Sequence, residues 1–303
     1  MGMTILITGA WAGCAPYLET LRQAGHTVIF MQNEADALPD GATLAEGIVC
    51  NGLFLHHSIE QFSRLRYIQL TSAGTDRVPL DYIKEHSITL CNARGVYSVP
   101  VAEFTLCGVL HLYKQRAFFA RNQAQHVWEK HRGLAELCGK TVCVVGCGSV
   151  GNECAKRFAA FGCTVYGIDL YPHQGEPYAC VAPLDALMQQ AAQADILVLT
   201  LPLTEQTRHL IDARVLGVLK QGAVLVNVSR GGIVDTEALI AALQGDRLGG
   251  AVLDVFEQEP LDAAHPLWEC PNTVITPHNS FVGEGNAKRL ADLIVGNISA
   301  WKA

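Results

Sequence analysis

Short apolar runs alternate with longer segments of helical spacing along the chain. Thr4 to Thr8 reads as a strand, Ala15 to Ala24 as a helix stopped by Gly25, and His26 to Met31 as a second strand. Tyr67 to Leu70 and Ile88 to Cys91 are further strands. Strand-like runs separated by helical patterns argue for parallel sheets joined by crossover helices. No repeat of solenoid period and no low-complexity tract interrupts this rhythm.

The pattern changes after Asn92. Pro100 to Ala120 is largely apolar with helical spacing, a proline near its first turn and no breaker beyond Gly108, so it predicts one long helix. A helix of that length suits a connection between domains or a subunit interface. Arg121 to Arg132 is polar, and Leu137 to Thr141 leads into a new strand. From there the rhythm restarts, with strands expected at Val142 to Val145, Cys163 to Ile168, Ile196 to Leu201, Ala223 to Val228, Ala251 to Val255 and Thr273 to Thr276.

The first restarted strand runs into Gly146-Cys147-Gly148-Ser149-Val150-Gly151, a G-x-G-x-x-G. Glycines are common here, 28 in all, so the motif gains its meaning from context. A strand precedes it, and a helical stretch, Asn152 to Phe161, follows and stops at Gly162. The next strand ends in Asp169, 18 residues beyond Gly151 and close to the roughly 20 expected of a dinucleotide fingerprint. The first glycine permits the tight turn, the second a close approach of backbone to pyrophosphate, and the third close packing of helix on strand. The helix N-terminus offers N–H groups and partial positive charge to phosphates. Asp169 would accept hydrogen bonds from the adenosine ribose and repel a 2′-phosphate, which favours NAD over NADP. A second glycine turn, Gly9 to Gly13, lacks the third glycine in register, and no acid ends the strand after it. It reads as an ordinary strand-to-helix turn.

Composition narrows the picture. At 303 residues the chain is long enough for about two domains. It is 50% hydrophobic and 17% charged, ample for a core and too apolar for disorder. Lys plus Arg number 22 against 29 Asp plus Glu, a net charge of −7 without a basic run, which disfavours nucleic acid and membrane surfaces as partners. No stretch approaches the roughly 20 apolar residues of a membrane span. The start, Met1-Gly2-Met3-Thr4, enters an apolar run without a basic flank or cleavage pattern, so no signal peptide is expected. The 11 cysteines are odd in number, scattered and without a C-x-x-C pair, so reduced thiols in a cytoplasmic protein are expected rather than disulfides or a zinc module. No metal is expected.

A second set of residues converges on the carboxyl ends of later strands, where open α/β sheets bind ligands. Ala223 to Val228 runs into Ser229-Arg230-Gly231-Gly232, and a guanidinium there could grip a carboxylate in a bidentate fork that lysine cannot imitate. The next strand leads into Asp254, Glu257 and Glu259-Pro260, and the one after into Pro277-His278. Of the 11 histidines, His56, His57, His126, His131 and His173 lie in polar or loop contexts without an identifiable partner. His278 differs because arginine, acid and imidazole all end successive strands on the edge that carries the glycine loop.

These stretches together resemble the D-isomer-specific 2-hydroxyacid dehydrogenases that use NAD. The matching segments are Leu137 to Gly151, Leu199 to Thr204, Asn227 to Asp235, Leu253 to Pro260 and Pro277-His278, with looser matches at Ser72-Ala73-Gly74-x-Asp76 and Val101 to Glu103. The resemblance covers nearly the whole chain. It implies two Rossmann-like or flavodoxin-like parallel-sheet domains with a cleft between them. Residues 1–98 and 282–303 would form a discontinuous substrate-binding domain, with a returning helix at about Gly283 to Trp301. Residues 99–281 would form the NAD-binding domain. A cleft between domains would allow a closing motion.

The resemblance also implies roles. Arg230, Glu259 and His278 match the catalytic residues. Gly146, Gly148, Ser149, Val150, Gly151, Asp169, Pro202, Thr207, Val228, Asp254 and His278 would face the cofactor, with Asp254 on the nicotinamide carboxamide and Pro202 lining the cleft. Ser72, Ala73 and Gly74, with Arg230, would hold the substrate carboxylate. Loops near Ile48 to Leu55, Ser72 to Val78 and Asn279 to Glu284 would shape the pocket. Phe54 reads equally as a wall residue or a core aromatic. The family's usual contacts through the helix at Pro100 to Ala120 imply a homodimer. Small residues often follow the histidine in the family, whereas Asn279-Ser280-Phe281 follow here.

The expected reaction is hydride transfer between NAD(H) and a 2-keto acid or D-2-hydroxy acid. His278 would give a proton to the developing alkoxide, Arg230 would hold the carboxylate and polarise the carbonyl, and Glu259 would fix the imidazole tautomer and favour its charged form. An NAD(H)-binding sensor or corepressor on the same fold is a second reading. A formate-dehydrogenase-like enzyme or an NAD-dependent hydrolase of thioether nucleosides is a third.

Overall fold

Five short strands from the first part of the chain form one sheet, β1 (Thr4–Thr8), β2 (Thr27–Met31), β3 (Gly47–Cys50), β4 (Tyr67–Leu70) and β5 (Thr89–Cys91), with helices α1 (Ala15–Gln23) and α2 (Leu80–Glu85) between them. They come from a computed structural model that describes residues 2–301. Met1, Lys302 and Ala303, which fall within the segments expected to make the substrate-binding domain, lie outside the described residues. The strand order is β2-β1-β3-β4-β5 and every pairing is parallel.

Successive residues of these strands feed opposite faces, because strand side chains alternate. Leu6, Ile48, Cys50, Ile68 and Leu70 pack on one side, and Ile5, Ile7, Val49 and Tyr67 on the other. A returning helix, Asn286–Ala300, covers the second side with Leu290, Ala291, Ile294 and Ile298, which recur along one stripe of the helix. Asn297 Nδ2 reaches Gln69 Oε1 on β4 at 2.8 Å. Residues 1–97 and 283–303 accordingly form one compact unit and residues 98–282 another.

β3 corrects the expectation of a loop near Ile48 to Leu55. It is completely buried and pairs with both β1 and β4, so Ile48 to Cys50 lie in the middle of the sheet. It opens on a glycine, a residue depleted in strands, and leaves only three apolar residues to mark it. Phe54, beyond it, packs edge-on against Phe62 at 6.1 Å beside the core.

The second unit begins with α3 (Ser98–Tyr113) and α4 (Arg116–Ala124). They correct the single helix expected over Pro100 to Ala120. Gln115 between them has φ 49° and ψ 43°, a left-handed conformation that ends the helix. Its side-chain amide donates to the Leu112 carbonyl at 3.2 Å, and Lys114 Nζ donates to the Ala135 carbonyl at 2.7 Å. No glycine or proline marks the break, so apolar spacing runs through it unaltered.

Seven strands follow: β6 (Thr141–Val145), β7 (Thr164–Ile168), β8 (Cys180–Ala182), β9 (Ile196–Leu199), β10 (Ala223–Asn227), β11 (Leu248–Leu253) and β12 (Thr273–Ile275). Helices α5 (Ser149–Ala160), α6 (Leu187–Ala191), α7 (Ala213–Val218) and α8 (Thr236–Gln244) connect them. The order is β12-β11-β10-β9-β6-β7-β8, again all parallel. The unpredicted β8 is a three-residue edge strand. α6, α7 and α8 cover one face through Leu187, Leu216, Leu239 and Leu243. α3 and α5 cover the other through Ala102, Val109, Cys154, Ala155 and Phe158. The chain builds outward from β6 to β8 and then crosses to β9 on the other side of β6. That makes β6/β9 the switch point, where doubly wound sheets bind ligands at their carboxyl ends.

Among the described residues no helix is long and apolar enough to cross a membrane, and no cluster of His, Cys, Asp and Glu could hold a metal ion. All eleven cysteines are unpaired.

Candidate active site

The glycine loop lies at this switch point. Gly146 has φ +99°, and a Cβ there would come within 2.6 Å of the Leu201 nitrogen. A Cβ on Gly151 would meet the Gly146 carbonyl oxygen at 2.1 Å. The turn therefore excludes side chains at both positions and brings the first turn of α5 against the end of β6. Gly148 caps α5 without a side chain, so no cap group competes for the N–H groups of Ser149, Val150 and Gly151. Thr200, just past β9, braces the turn with its hydroxyl on the Gly146 carbonyl at 2.6 Å.

Asp169 follows β7, the neighbour of β6. One carboxylate oxygen accepts the Cys147 N–H at 2.6 Å and the other the Tyr171 N–H at 2.9 Å. The acid is thus tied to the glycine loop itself, within the region where a ribose would follow a bound pyrophosphate. Cys147 contributes no reactive thiol, because burial pushes it up to about 12. Exclusion of side chains at Gly146 and Gly151, a bare helix N-terminus and an acid held beside them are the features a dinucleotide requires. Asp169→Ala is expected to narrow the preference for NADH over NADPH, read from kcat/KM with each. An unchanged ratio would argue against a ribose contact.

Pro202 is exposed beyond β9, and Val228 is half-buried beyond β10. Thr207 is fully buried. Its hydroxyl accepts the Thr204 N–H and donates to the Pro202 carbonyl, both at 2.7 Å, so it braces the 202–207 loop from beneath.

Arg230 stands three residues past the end of β10. Its Nη1 donates to the Ser229 carbonyl at 2.8 Å. Buried Asn227 holds this turn from inside: its amide donates to the Arg230 carbonyl at 3.0 Å, and its oxygen accepts the Ser229 hydroxyl at 3.0 Å. Next to it, Gly231 lies so close to the segment after β11 that a Cβ would fall 1.8 Å from the Phe256 carbonyl carbon. The arginine turn and the acidic segment are packed backbone to backbone.

The three carboxylates of that segment have three different partners. Glu259 Oε2 meets His278 Nδ1 at 2.8 Å, and its Oε1 accepts the Phe256 N–H at 3.0 Å. Glu257 turns instead to Thr236 and to His209 Nε2, at 3.1 Å. Burial alone would push its carboxyl up, but the bonds from Thr236 and His209 outweigh it and hold the group below the usual carboxylate range. Asp254, fully buried, accepts from the Thr276 hydroxyl at 2.6 Å and from the Asn279 and Ser280 N–H groups, each at 2.8 Å. His278 itself has φ +50° and stacks edge-on with Phe281 at 6.2 Å.

Structure thus joins Arg230, Glu259 and His278 to the glycine loop on one sheet edge of one unit. Ser72, Ala73 and Gly74 lie on the other unit, beyond β4. There the Ser72 hydroxyl donates to the Gly74 carbonyl at 3.0 Å, and Asn92 donates to the Ala73 carbonyl at 2.8 Å. Sequence reading missed Thr200, Asn227 and the His209–Glu257 pair. It also missed Glu34, which gathers the Thr8 hydroxyl and the Asn51 and Gly52 N–H groups at the strand ends of the first sheet. One signal was present: Thr200 and Asn227, like Asp254, are each a lone polar residue near the end of an apolar run. Of the histidines without an assigned partner, His57 reaches the Glu34 carbonyl at 3.1 Å, His131 packs on Phe118 and His173 on Tyr178.

Comparison with known proteins agrees with this geometry. A family model described as D-isomer specific 2-hydroxyacid dehydrogenase, NAD binding domain, matches residues 106–280. Glyoxylate/hydroxypyruvate reductase A of Arabidopsis thaliana is 35% identical over 80% of this chain and 77% of its own length. The (S)-sulfolactate dehydrogenase of Chromohalobacter salexigens is 32% identical over 88% of each. A crystal structure of a D-isomer specific 2-hydroxyacid dehydrogenase family protein from Aeromonas salmonicida aligns with TM-score 0.85 at 31% identity, over 99% of this chain and 95% of that one.

Proposed function

Because the chain belongs to the D-isomer-specific 2-hydroxyacid dehydrogenases and is an NAD-dependent oxidoreductase, we propose that it reduces a small 2-keto acid to the D-2-hydroxy acid, with His278 as proton donor and Arg230 as carboxylate ligand. The observation that carries this reading is the 2.8 Å pair between His278 Nδ1 and Glu259 Oε2, one strand away from Arg230.

When bound, NADH supplies the hydride. Ser149, Val150 and Gly151 offer N–H groups to its pyrophosphate, and Asp169 accepts from its ribose. Arg230 grips the substrate carboxylate with two parallel N–H donors and polarises the C2 carbonyl. As negative charge grows on the C2 oxygen, Nε2 of His278 delivers its proton there. Glu259 accepts from Nδ1, which leaves Nε2 as the nitrogen that carries the transferable proton in the charged ring. A fixed guanidinium and a fixed imidazolium facing one developing alkoxide stabilise it without reorganising water.

A sensor needs only the cofactor half, whereas arginine, acid and imidazole are all kept here. The relatives named above are a glyoxylate/hydroxypyruvate reductase and a sulfolactate dehydrogenase, and they point to short substrates such as glyoxylate and hydroxypyruvate. NADH oxidation with glyoxylate, hydroxypyruvate, pyruvate, phenylpyruvate and branched-chain keto acids tests the reading. We expect the highest kcat/KM on one of the first three. Turnover of formate with NAD, and none of any keto acid, would overturn it. The unpaired thiols favour a cytoplasmic location. Trp128, 97% exposed beyond α4 with Val127 beside it, supports a homodimer that covers this end of the unit. A monomer mass in sedimentation would contradict that.

A further inference from the structure

His278 has a backbone conformation that side chains avoid, at φ +50° in the left-handed region. It follows Pro277, and no glycine lies nearby to relieve the turn. A residue stays there only when its surroundings over-determine it. One residue supplies most of that constraint. The Asp254 carbonyl accepts the His278 N–H at 2.8 Å. Asp254 Oδ1 accepts the Thr276 hydroxyl at 2.6 Å and the Asn279 N–H at 2.8 Å, and Oδ2 accepts the Ser280 N–H at 2.8 Å. The N–H groups of three consecutive residues thus converge on one fully buried aspartate. Asp254 is fixed in turn, because its own N–H donates to the carbonyl of Asn227, the residue that braces the Arg230 turn.

We propose that Asp254 is the positioning residue for His278: its buried carboxylate clamps the Thr276–Ser280 turn in the conformation that brings the imidazole onto Glu259. The inference rests on the reading of His278 as proton donor. It gives Asp254 a task different from the nicotinamide contact that family resemblance implies. A carboxylate suits the task because it only accepts, and three donors face it. A carboxamide of the same shape would turn one acceptor into a donor aimed at an N–H or hydroxyl. Released from the clamp, the turn relaxes toward negative φ and the ring leaves Glu259. Misplacing a reacting group by about 1 Å costs about 10²-fold in rate.

The test compares Asp254→Asn, Thr276→Val and His278→Ala with wild type, each checked for a wild-type urea midpoint. NADH affinity is measured by fluorescence titration, and kcat and KM on the best 2-keto acid. We expect Asp254→Asn to lower kcat by about 10²-fold, with NADH affinity and keto-acid KM near wild type. Thr276→Val, which removes one donor only, should fall in the same direction by less. In the double variant Asp254→Asn/His278→Ala the rate should match His278→Ala alone, because residues acting through one group are not additive. Three outcomes would overturn the proposal: an unchanged kcat in Asp254→Asn, an equal fractional loss in the His278→Ala background, or weakened NADH binding as the main effect. If Asp254→Asn unfolds, Thr276→Val carries the same comparison on its own. A His278→Ala enzyme of normal kcat would instead refute the proton-donor reading, which keeps the two failures apart.

Discussion

His278→Ala is expected to lower kcat by about 10²- to 10⁴-fold, the range for a lost general acid. KM for the keto acid should change little, because the imidazole matters chiefly once charge develops on the C2 oxygen. The 2.8 Å contact with Glu259 engages Nδ1 of the ring and leaves Nε2 as the nitrogen for the substrate. Removing the ring leaves a cavity that is open to solvent, because His278 is about two-fifths exposed, so stability should hold. Steady-state rates at saturating NADH read the effect. A near-normal kcat would mean that another group donates the proton.

Arg230→Ala should hurt binding and chemistry together. A charge-assisted hydrogen-bond pair to a carboxylate is worth about 1.5–3 kcal/mol, so KM should rise by about ten- to a hundredfold. Loss of a fixed positive charge beside the developing alkoxide should lower kcat by about 10²- to 10³-fold as well. Arg230→Lys is the sharper variant. It keeps the charge but not the planar fork, so it should recover only a small part of the KM defect. Rescue to near wild type by lysine would mean that the site needs a charge and not the fork. Asn227 makes the outcome interpretable, because it holds the Arg230 backbone turn whatever side chain follows.

Much of this was legible in the chain. Parallel strands buried on both faces read as unbroken apolar runs, so β1, β4, β6, β9 and β10 stand out within a residue or two of their ends. The glycine loop is legible for a steric reason, since neither Gly146 nor Gly151 has room for a Cβ. What the pattern hides follows from what periodicity measures, which is burial and not partnership. β3 opens on a glycine, and the α3–α4 break depends on a glutamine in a left-handed conformation. Asp254, Glu257 and Glu259 look alike as carboxylates after a strand, and only geometry shows that they serve the histidine turn, His209 and His278 respectively. Thr200 and Asn227 show in the chain only as lone polar residues among apolar ones, and the role of Glu34 not at all, because each bonds to backbone, which leaves no trace in composition.

Reduction of a 2-keto acid is assigned to the groups on successive strand ends of one sheet. It is tested most directly by initial rates of NADH oxidation on the best keto acid, for wild type and His278→Ala side by side, with NADH binding measured on the same preparations. Turnover by wild type is expected, with a loss of about 10²-fold or more in the variant and equal NADH affinity in both. Bound NADH without turnover of any 2-keto acid, or equal rates in the two proteins, would contradict it.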